Sequence, residues 1–359
     1  MSAFSPACVA RPATLDDLGE IAELLHRLFG GGRTVESLRW KFGGLAGRLA
    51  GSAVLTADRR IVGFLGQVPV RAHVMGREIP AAQGSDLGIL ETHRRLDTFL
   101  ALVQASLHEM ERAGVALAYG VANAEAAATA ELLGRKRPAP VPLVVRPLRT
   151  DPSLGRGSRI FARVLSACDG WLERRSLANC PAARDRLQLR RVDRFDERFD
   201  RFWQEIMDDY PIMLVRDAAH LNWRYVDSPG VAYERICVES AESGRVEGYA
   251  VLSLRPQGRL VRGAMADLVT ARHAAPGISG RLIRAAIAWF RAQGADIAEA
   301  WAFRHTHLRH SLLGRGFLPR RTGGGGLQAS ALAPGTGMTP AVAEDAKNWF
   351  LSMGDSDTV

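Results

Sequence analysis

Ser37-Leu38-Arg39-Trp40-Lys41-Phe42 returns 183 residues later as His220-Leu221-Asn222-Trp223-Arg224-Tyr225. Working outward, Ile61-Val62-Gly63-Phe64 pairs with Val246-Glu247-Gly248-Tyr249, and Asp86-Leu87 with Asp267-Leu268. Arg112-Ala113-Gly114 pairs with Ala292-Gln293-Gly294, and Leu132-Leu133-Gly134-Arg135 with Leu312-Leu313-Gly314-Arg315. Each match alone is weak. Five in the same order at a nearly constant offset mark a tandem duplication, and a repeat found this way organises the rest of the chain.

Periodicity within each copy alternates. Leu15, Leu18, Ile21, Leu24, Leu25 and Leu28 form a helical stripe over Arg11 to Phe29, with a cap at Thr14. Ser52 to Leu55 and Arg60 to Val70 read as a hairpin turning at Ala57-Asp58-Arg59, and Asp86 to Leu90 as a third strand. Thr98 to Arg112 is an amphipathic helix closed by Gly114; a strand over Val115 to Val121 and a helix over Ala124 to Leu133 follow. The second copy repeats the pattern with strands at Arg235 to Val238, Glu247 to Leu254 and Gly263 to Thr270. A helix over Ser279 to Ala292, a strand over Ile297 to Phe303 and a helix near His307 to Leu313 complete it. Such an order gives a mixed sheet with helices on both faces, an α/β chain of the α+β mixed-sheet kind. The expected division is 1–148 for the first unit, 149–190 for a connector with an amphipathic helix around Ile160 to Leu177, 191–325 for the second unit, and 326–359 for a tail, extended or mobile before Trp349 and Phe350.

Totals narrow the function. A chain of 359 residues suits two domains, and 47% hydrophobic with 24% charged residues is ordinary globular usage. It holds no run of about 18 apolar residues, and Met1 to Arg11 lacks the pattern of a secretory signal, so a cytoplasmic protein with no membrane span is expected. Cys8, Cys168, Cys180 and Cys237 form neither a CxxC pair nor a zinc-spaced cluster, which argues for plain thiols and no metal. The net charge of +9 invites a nucleic-acid reading. Only three of the 47 basic residues are lysine, however, and the dense stretch Arg174 to Arg201 alternates Arg with Asp and Glu, as a solvated helix face or linker does. Nucleic acid is therefore not the expected partner.

The opening Val9-Ala10-Arg11-Pro12-Ala13-Thr14-Leu15-Asp16-Asp17-Leu18 and the order of elements resemble the GNAT superfamily of N-acetyltransferases. Asn123 and Ala126 with the Leu-Gly ending of the first unit, and Gly316-Phe317 in the second, are similar to that family's pattern. The resemblance covers roughly 8–147 and 191–320. It implies two tandem GNAT-like acyl-CoA N-acyltransferase domains, with acetyl-CoA or another acyl-CoA as cosubstrate and a small-molecule or polymer amine as acceptor. It also implies that the CoA pyrophosphate sits at the start of the helix after the fourth strand, where unpaired N–H groups and the dipole favour anions.

Neither copy keeps that family's loop whole. In the first, Arg94 and Arg95 are present, but Asp97, an expected N-cap, and Phe99 stand where small residues belong. In the second, Gly277, Ser279, Gly280 and Arg281 remain while Ala274 replaces the basic or amide residue; a Pro-Gly turn with Ser279 as N-cap is the plainer reading of that loop. The second loop, Pro276 to Gly280, is the expected CoA site, with Arg94 and Arg95 as the competing one. Asp86 and Asp267, at equivalent positions, are candidate bases or a duplicated structural pair. Tyr119 is a candidate proton donor to the thiolate, although an aromatic at strand spacing also reads as core. The family's tyrosine would fall at Ala130, and His310 in the cluster His305, His307 and His310 is the candidate acid or base of the second unit. Two readings compete with an acyltransferase: a GNAT-like binding or assembly module without catalysis, and an aminoacyl-tRNA-dependent transferase on a similar doubled fold.

Overall fold

A computed structural model describes residues 8–47, 49–132, 136–149, 186–274, 276–320, 326–333 and 338–356. The connector helix expected around Ile160 to Leu177 and the first Leu-Leu-Gly-Arg ending from residue 133 lie outside them.

The first unit runs β1 (Val9–Pro12), α1 (Leu18–Phe29), α2 (Val35–Gly43), β2 (Ala53–Ala57), β3 (Arg60–Val74), β4 (Arg77–Ile89), α3 (Leu96–Arg112), β5 (Leu117–Ala122), α4 (Ala124–Leu132) and β6 (Leu143–Pro147). The second runs β7 (Leu187–Arg191), α5 (Glu197–Ile206), β8 (Ile212–Leu214), α6 (Ala218–Tyr225), β9 (Glu234–Ser240), β10 (Val246–Gln257), β11 (Leu260–Thr270), α7 (Pro276–Ala292), β12 (Ile297–Trp301), α8 (His307–Leu313) and β13 (Leu318–Arg320). After it come β14 (Gly326–Ala331), α9 (Pro340–Glu344) and β15 (Trp349–Phe350). β1-β2-β3-β4-β5 and β7-β9-β10-β11-β12 pair in the same spatial order, antiparallel except at the last step of each.

Local signals read from the repeat recur in the structure. Leu18, Ile21, Leu24 and Leu25 of α1 are buried. α3 and α7 close alike: Gly114 and Gly294 take left-handed φ values of 71° and 77°. Val115 N then bonds to Met110 O, and Ala295 N to Phe290 O. A glycine reaches that conformation without a Cβ penalty, which is why it ends both helices. The hairpin turn at Asp58 and Arg59 has both φ values positive. β4 is longer than the expected strand, because Met75 and Gly76 also turn with positive φ and carry the hairpin on to Arg77. Within Arg174 to Arg201, the described part is not a linker: β7 and α5 lie there, with Phe199, Phe202, Trp203 and Ile206 turned inward. Arg190 and Arg198 pair with Glu239 on the outside of this packing.

The two halves exchange a strand. β6, within the span expected for the first unit, is inserted between β12 and β13 in the second sheet. Reciprocally β14, in the expected tail, pairs along β5 from Gly326↔Ala122 to Ala331↔Leu117, with Ala139 bridging to Leu327 on its other side. β8 extends the first sheet by pairing with β3, and β15 lies parallel to β8. Residues expected as a tail are thus built into the first sheet and its core, where Trp349 is fully buried.

Candidate active site

Each sheet splits at the same place. β4 pairs with β5 only at Ala81↔Leu117, Ala82↔Ala118 and Gln83↔Tyr119 before the strands part. β11 and β12 pair only at Arg262↔Ile297, Gly263↔Ala298 and Ala264↔Glu299. Beyond the last rung a wedge opens, and the two wedges differ in what lies in and beside them.

In the second unit the wedge is closed by the chain itself. Phe350, Leu351 and Ser352 pack against Met265 and Leu268 of β11 and Ala300 and Trp301 of β12, leaving a void of about 20 Å³. That space holds no more than a water or so. In the first unit, a cleft of about 120 Å³ opens where pairing ends, with Gln83 and Tyr119 in its wall. Trp40 and Lys41 of α2, His220, Trp223 and Arg224 of α6, and the turn Gly354 to Ser356 are among the other residues that line it. On the other side of the strands, Gly84 and Gly120 line the wedge. A Cβ on Gly120 would touch Gly84 O at 3.4 Å, and one on Gly84 would reach Gln67 Oε1 at 3.8 Å. Gln67 donates from Nε2 to Ser106 Oγ at 3.2 Å, while its Oε1 is buried with no hydrogen-bond partner. A buried orphan acceptor costs about 1 to 3 kcal/mol, so this oxygen marks a place where a donor is expected.

Asp86 and Asp267 are both ion-paired. Asp86, at a bulge with φ 50°, accepts from Arg33 at 2.9 Å and Lys41 at 2.7 Å. Burial opposes its charge, but Lys41 and Arg33 outweigh burial and hold the carboxyl below its usual range. Asp267 accepts from Arg216 at 3.2 Å and from the Tyr249 hydroxyl at 2.9 Å. Arg216 stands to Asp267 as Arg33 stands to Asp86, so the duplicated aspartates anchor the segments leading into α6 and α2. Tyr119 is buried and donates its hydroxyl proton to Asp355 O at 3.0 Å. His310 is exposed on α8, whereas His307 bridges Thr270 Oγ1 at 2.8 Å and the Tyr210 hydroxyl at 3.3 Å.

Neither of the two candidate loops has the expected capping. α3 starts at Leu96 with Arg95, not Asp97, as N-cap; Asp97 sits in the first turn, where it accepts from Thr98 N at 2.9 Å. Arg95 pairs with that carboxylate, which is held below its ordinary range by the Arg95 hydrogen bond. Arg94 donates to Ile89 O. α7 starts at Pro276, so Ser279 is not an N-cap; its hydroxyl meets Ser311 Oγ at 2.8 Å. The Arg315 guanidinium lies over Gly280, Arg281 donates to Leu187 O at 2.6 Å, and Gly277 has open space around it.

Sequence reasoning missed Gln67, Gln83, Arg216, His220 and Asp355. An amide inside the apolar run Ile61 to Val70 is the one local signal among them. Among the described residues no cluster of His, Cys, Asp or Glu could hold a metal ion, and no helix is long and apolar enough to cross a membrane.

Residues 9–131 match the family model of the acetyltransferase (GNAT) domain. The chain is similar to Saccharomyces cerevisiae N-myristoyltransferase with bound myristoyl-CoA, at 14% identity and a TM-score of 0.60 over 97% of this chain and 84% of that one. It is also similar to a GCN5-related N-acetyltransferase from Anabaena variabilis, at 13% identity and a TM-score of 0.60 over 91% of this chain and 73% of that one. A conserved Enterococcus faecalis protein of unknown function, described as a probable N-acyltransferase, is similar at 11% identity and a TM-score of 0.55 over 91% and 71% of the two chains. No curated protein matches the sequence. The GNAT resemblance thus holds for the first unit, which matches that family's domain, and the chain as a whole shares its fold with these solved structures.

Proposed function

We propose that the protein is an acyl-CoA-dependent N-acyltransferase with one working site, in the first unit, and a second unit that helps to wall it. The carrying observation is the contrast between the wedges: the second is filled by Phe350 to Ser352, while the first is flanked by Gly84 and Gly120 and faced by the orphan Gln67 Oε1. A pantetheine arm is slim, carries amide N–H donors, and fits such a slot. This reading moves the CoA from the Pro276 to Gly280 loop to the first unit, with Arg94 and Arg95 near the pyrophosphate end.

The thioester carbonyl would then meet the cleft at Gln83 and Tyr119, where the amine nitrogen attacks it: the C–N bond forms, the C–S bond breaks, and the proton the nitrogen sheds ends on the departing thiolate to give the free CoA thiol. The protein's work is to align the reactants and keep water out. Asp86, tied to two cations, is spent on structure and does not serve as a base. An engineered 150 Å³ cavity holds a benzene; a cleft of about 120 Å³ suits an acetyl group and the amine it meets better than a fatty chain. Acetyl-CoA is thus the favoured cosubstrate.

Titration calorimetry with acetyl-CoA and longer acyl-CoAs tests this. One molecule should bind per chain; Gly120→Val should abolish binding and Gly277→Val should leave it intact. Two molecules per chain, or loss through Gly277→Val alone, would return the site to the second unit.

A further inference from the structure

Tyr119 brings a hydroxyl group to the place where the wedge meets the cleft, and its proton is already committed. The phenol donates to the backbone carbonyl of Asp355, 236 residues further along the chain. That carbonyl is fixed from the second unit. The Asp355 carboxylate accepts from Arg216 at 2.5 Å and from Ser352 N at 2.7 Å, and Arg224 donates to the carbonyls of Gly354 at 3.0 Å and Ser356 at 3.1 Å. Burial opposes the charge on Arg216, but Asp267 and Asp355 more than offset it, so the guanidinium stays charged and the clamp holds. The turn cannot drift away: a Cβ on Gly354 would meet the Tyr225 hydroxyl and Ala266 O.

A hydroxyl that gives its one proton to a carbonyl offers only lone pairs to its next partner. A departing thiolate needs a donor; an attacking amine brings N–H groups. Resting on the first-unit acyl-transfer reading, we infer that Tyr119 is the hydrogen-bond acceptor that orients the acceptor amine, and not the acid that protonates the thiolate. Asp355 is the positioning residue that sets this polarity from the second unit.

The test uses the full chain with acetyl-CoA and hydroxylamine, following thiol release. Tyr119→Phe and Asp355→Asn should each raise the KM for hydroxylamine about tenfold, the worth of one hydrogen bond, with kcat and acetyl-CoA affinity nearly unchanged. Because the two act through one contact, the double variant should be no worse than either single one. A fall in kcat at constant KM in Tyr119→Phe would restore the proton-donor role and overturn the inference. So would multiplying effects in the double variant. Tyr119→Phe removes one oxygen from a packed ring and keeps the comparison valid should Asp355→Asn unfold the chain. No acceleration of thiol release by the parent protein would instead sink the acyl-transfer reading beneath it.

Discussion

Trp40 and Trp223, equivalent residues of the two units, stack on each other with ring centroids 5.2 Å apart and planes inclined by 25°. Each indole also donates to the other's backbone: Trp40 Nε1 to Trp223 O at 2.8 Å, and Trp223 Nε1 to Trp40 O at 3.2 Å. The duplicated tryptophans are thus one contact that joins α2 to α6. Trp223 is buried and Trp40 half-buried. Trp223→Ala should cost about 3 to 5 kcal/mol, the range for a buried large aromatic, and Trp40→Ala about 2 kcal/mol. In urea unfolding, a double-mutant cycle should return a coupling of about 1 kcal/mol; additive effects would mean the stack contributes nothing of its own.

His220 makes stability depend on mild acid. Burial, then the Arg216 cation, push its imidazole down to about 3 against a partial pull from Asp217, with Arg71 and Arg224 adding to the push. The unfolded chain binds a proton below about pH 6.5 that the folded chain refuses. Stability is therefore complete above that pH and is lost as the pH falls towards 3, by up to about 1.4 kcal/mol per unit. His220→Phe should flatten the stability profile between pH 6.5 and 5; an unchanged slope would mean another group is responsible.

What was legible followed from local rules. The helical stripe Leu18 to Leu25, the Gly114 and Gly294 helix ends and the order of elements are periodicity and turn chemistry, and the duplication multiplied each signal by two. Strand exchange was not legible. β6 (Leu143–Pro147) and β14 (Gly326–Ala331) are short stretches of mixed character, with Arg146 in one and Gln328 and Ser330 in the other, and their choice of sheet depends on a wedge edge no sequence pattern displays. The open slot was no more legible: it depends on Phe350 to Ser352 filling one wedge and sparing the other, and those residues read as tail.

Gly326 tests the exchange. A Cβ there would run into the Ala139 carbonyl, which bonds to Leu327 N at 2.7 Å. Gly326→Ala should lower stability by about 1 to 3 kcal/mol through overpacking against backbone, and should weaken acetyl-CoA binding because β14 braces β5 beside the wedge. A variant as stable as the parent by calorimetric unfolding would show that β14 does not seat there.

On the proposed reading, Asp97 sets how the first loop meets a phosphate. Its carboxylate takes the Thr98 N–H and the Arg95 guanidinium, two groups suited to an anion at a helix start. Both side chains are exposed, so the pair contributes little stability and can be removed without harm to the fold. Asp97→Ala should free Arg95 and remove a negative charge from the helix end, tightening acetyl-CoA binding about three- to tenfold at low salt. Raising the ionic strength to about 0.5 M should erase most of that gain, because exposed charges are screened within a few ångströms there. Arg95→Ala should weaken binding by a similar factor, and adding it to Asp97→Ala should cancel the improvement. If Asp97→Ala instead weakens binding, the aspartate is needed to shape the turn, and the pyrophosphate does not lie at the start of α3.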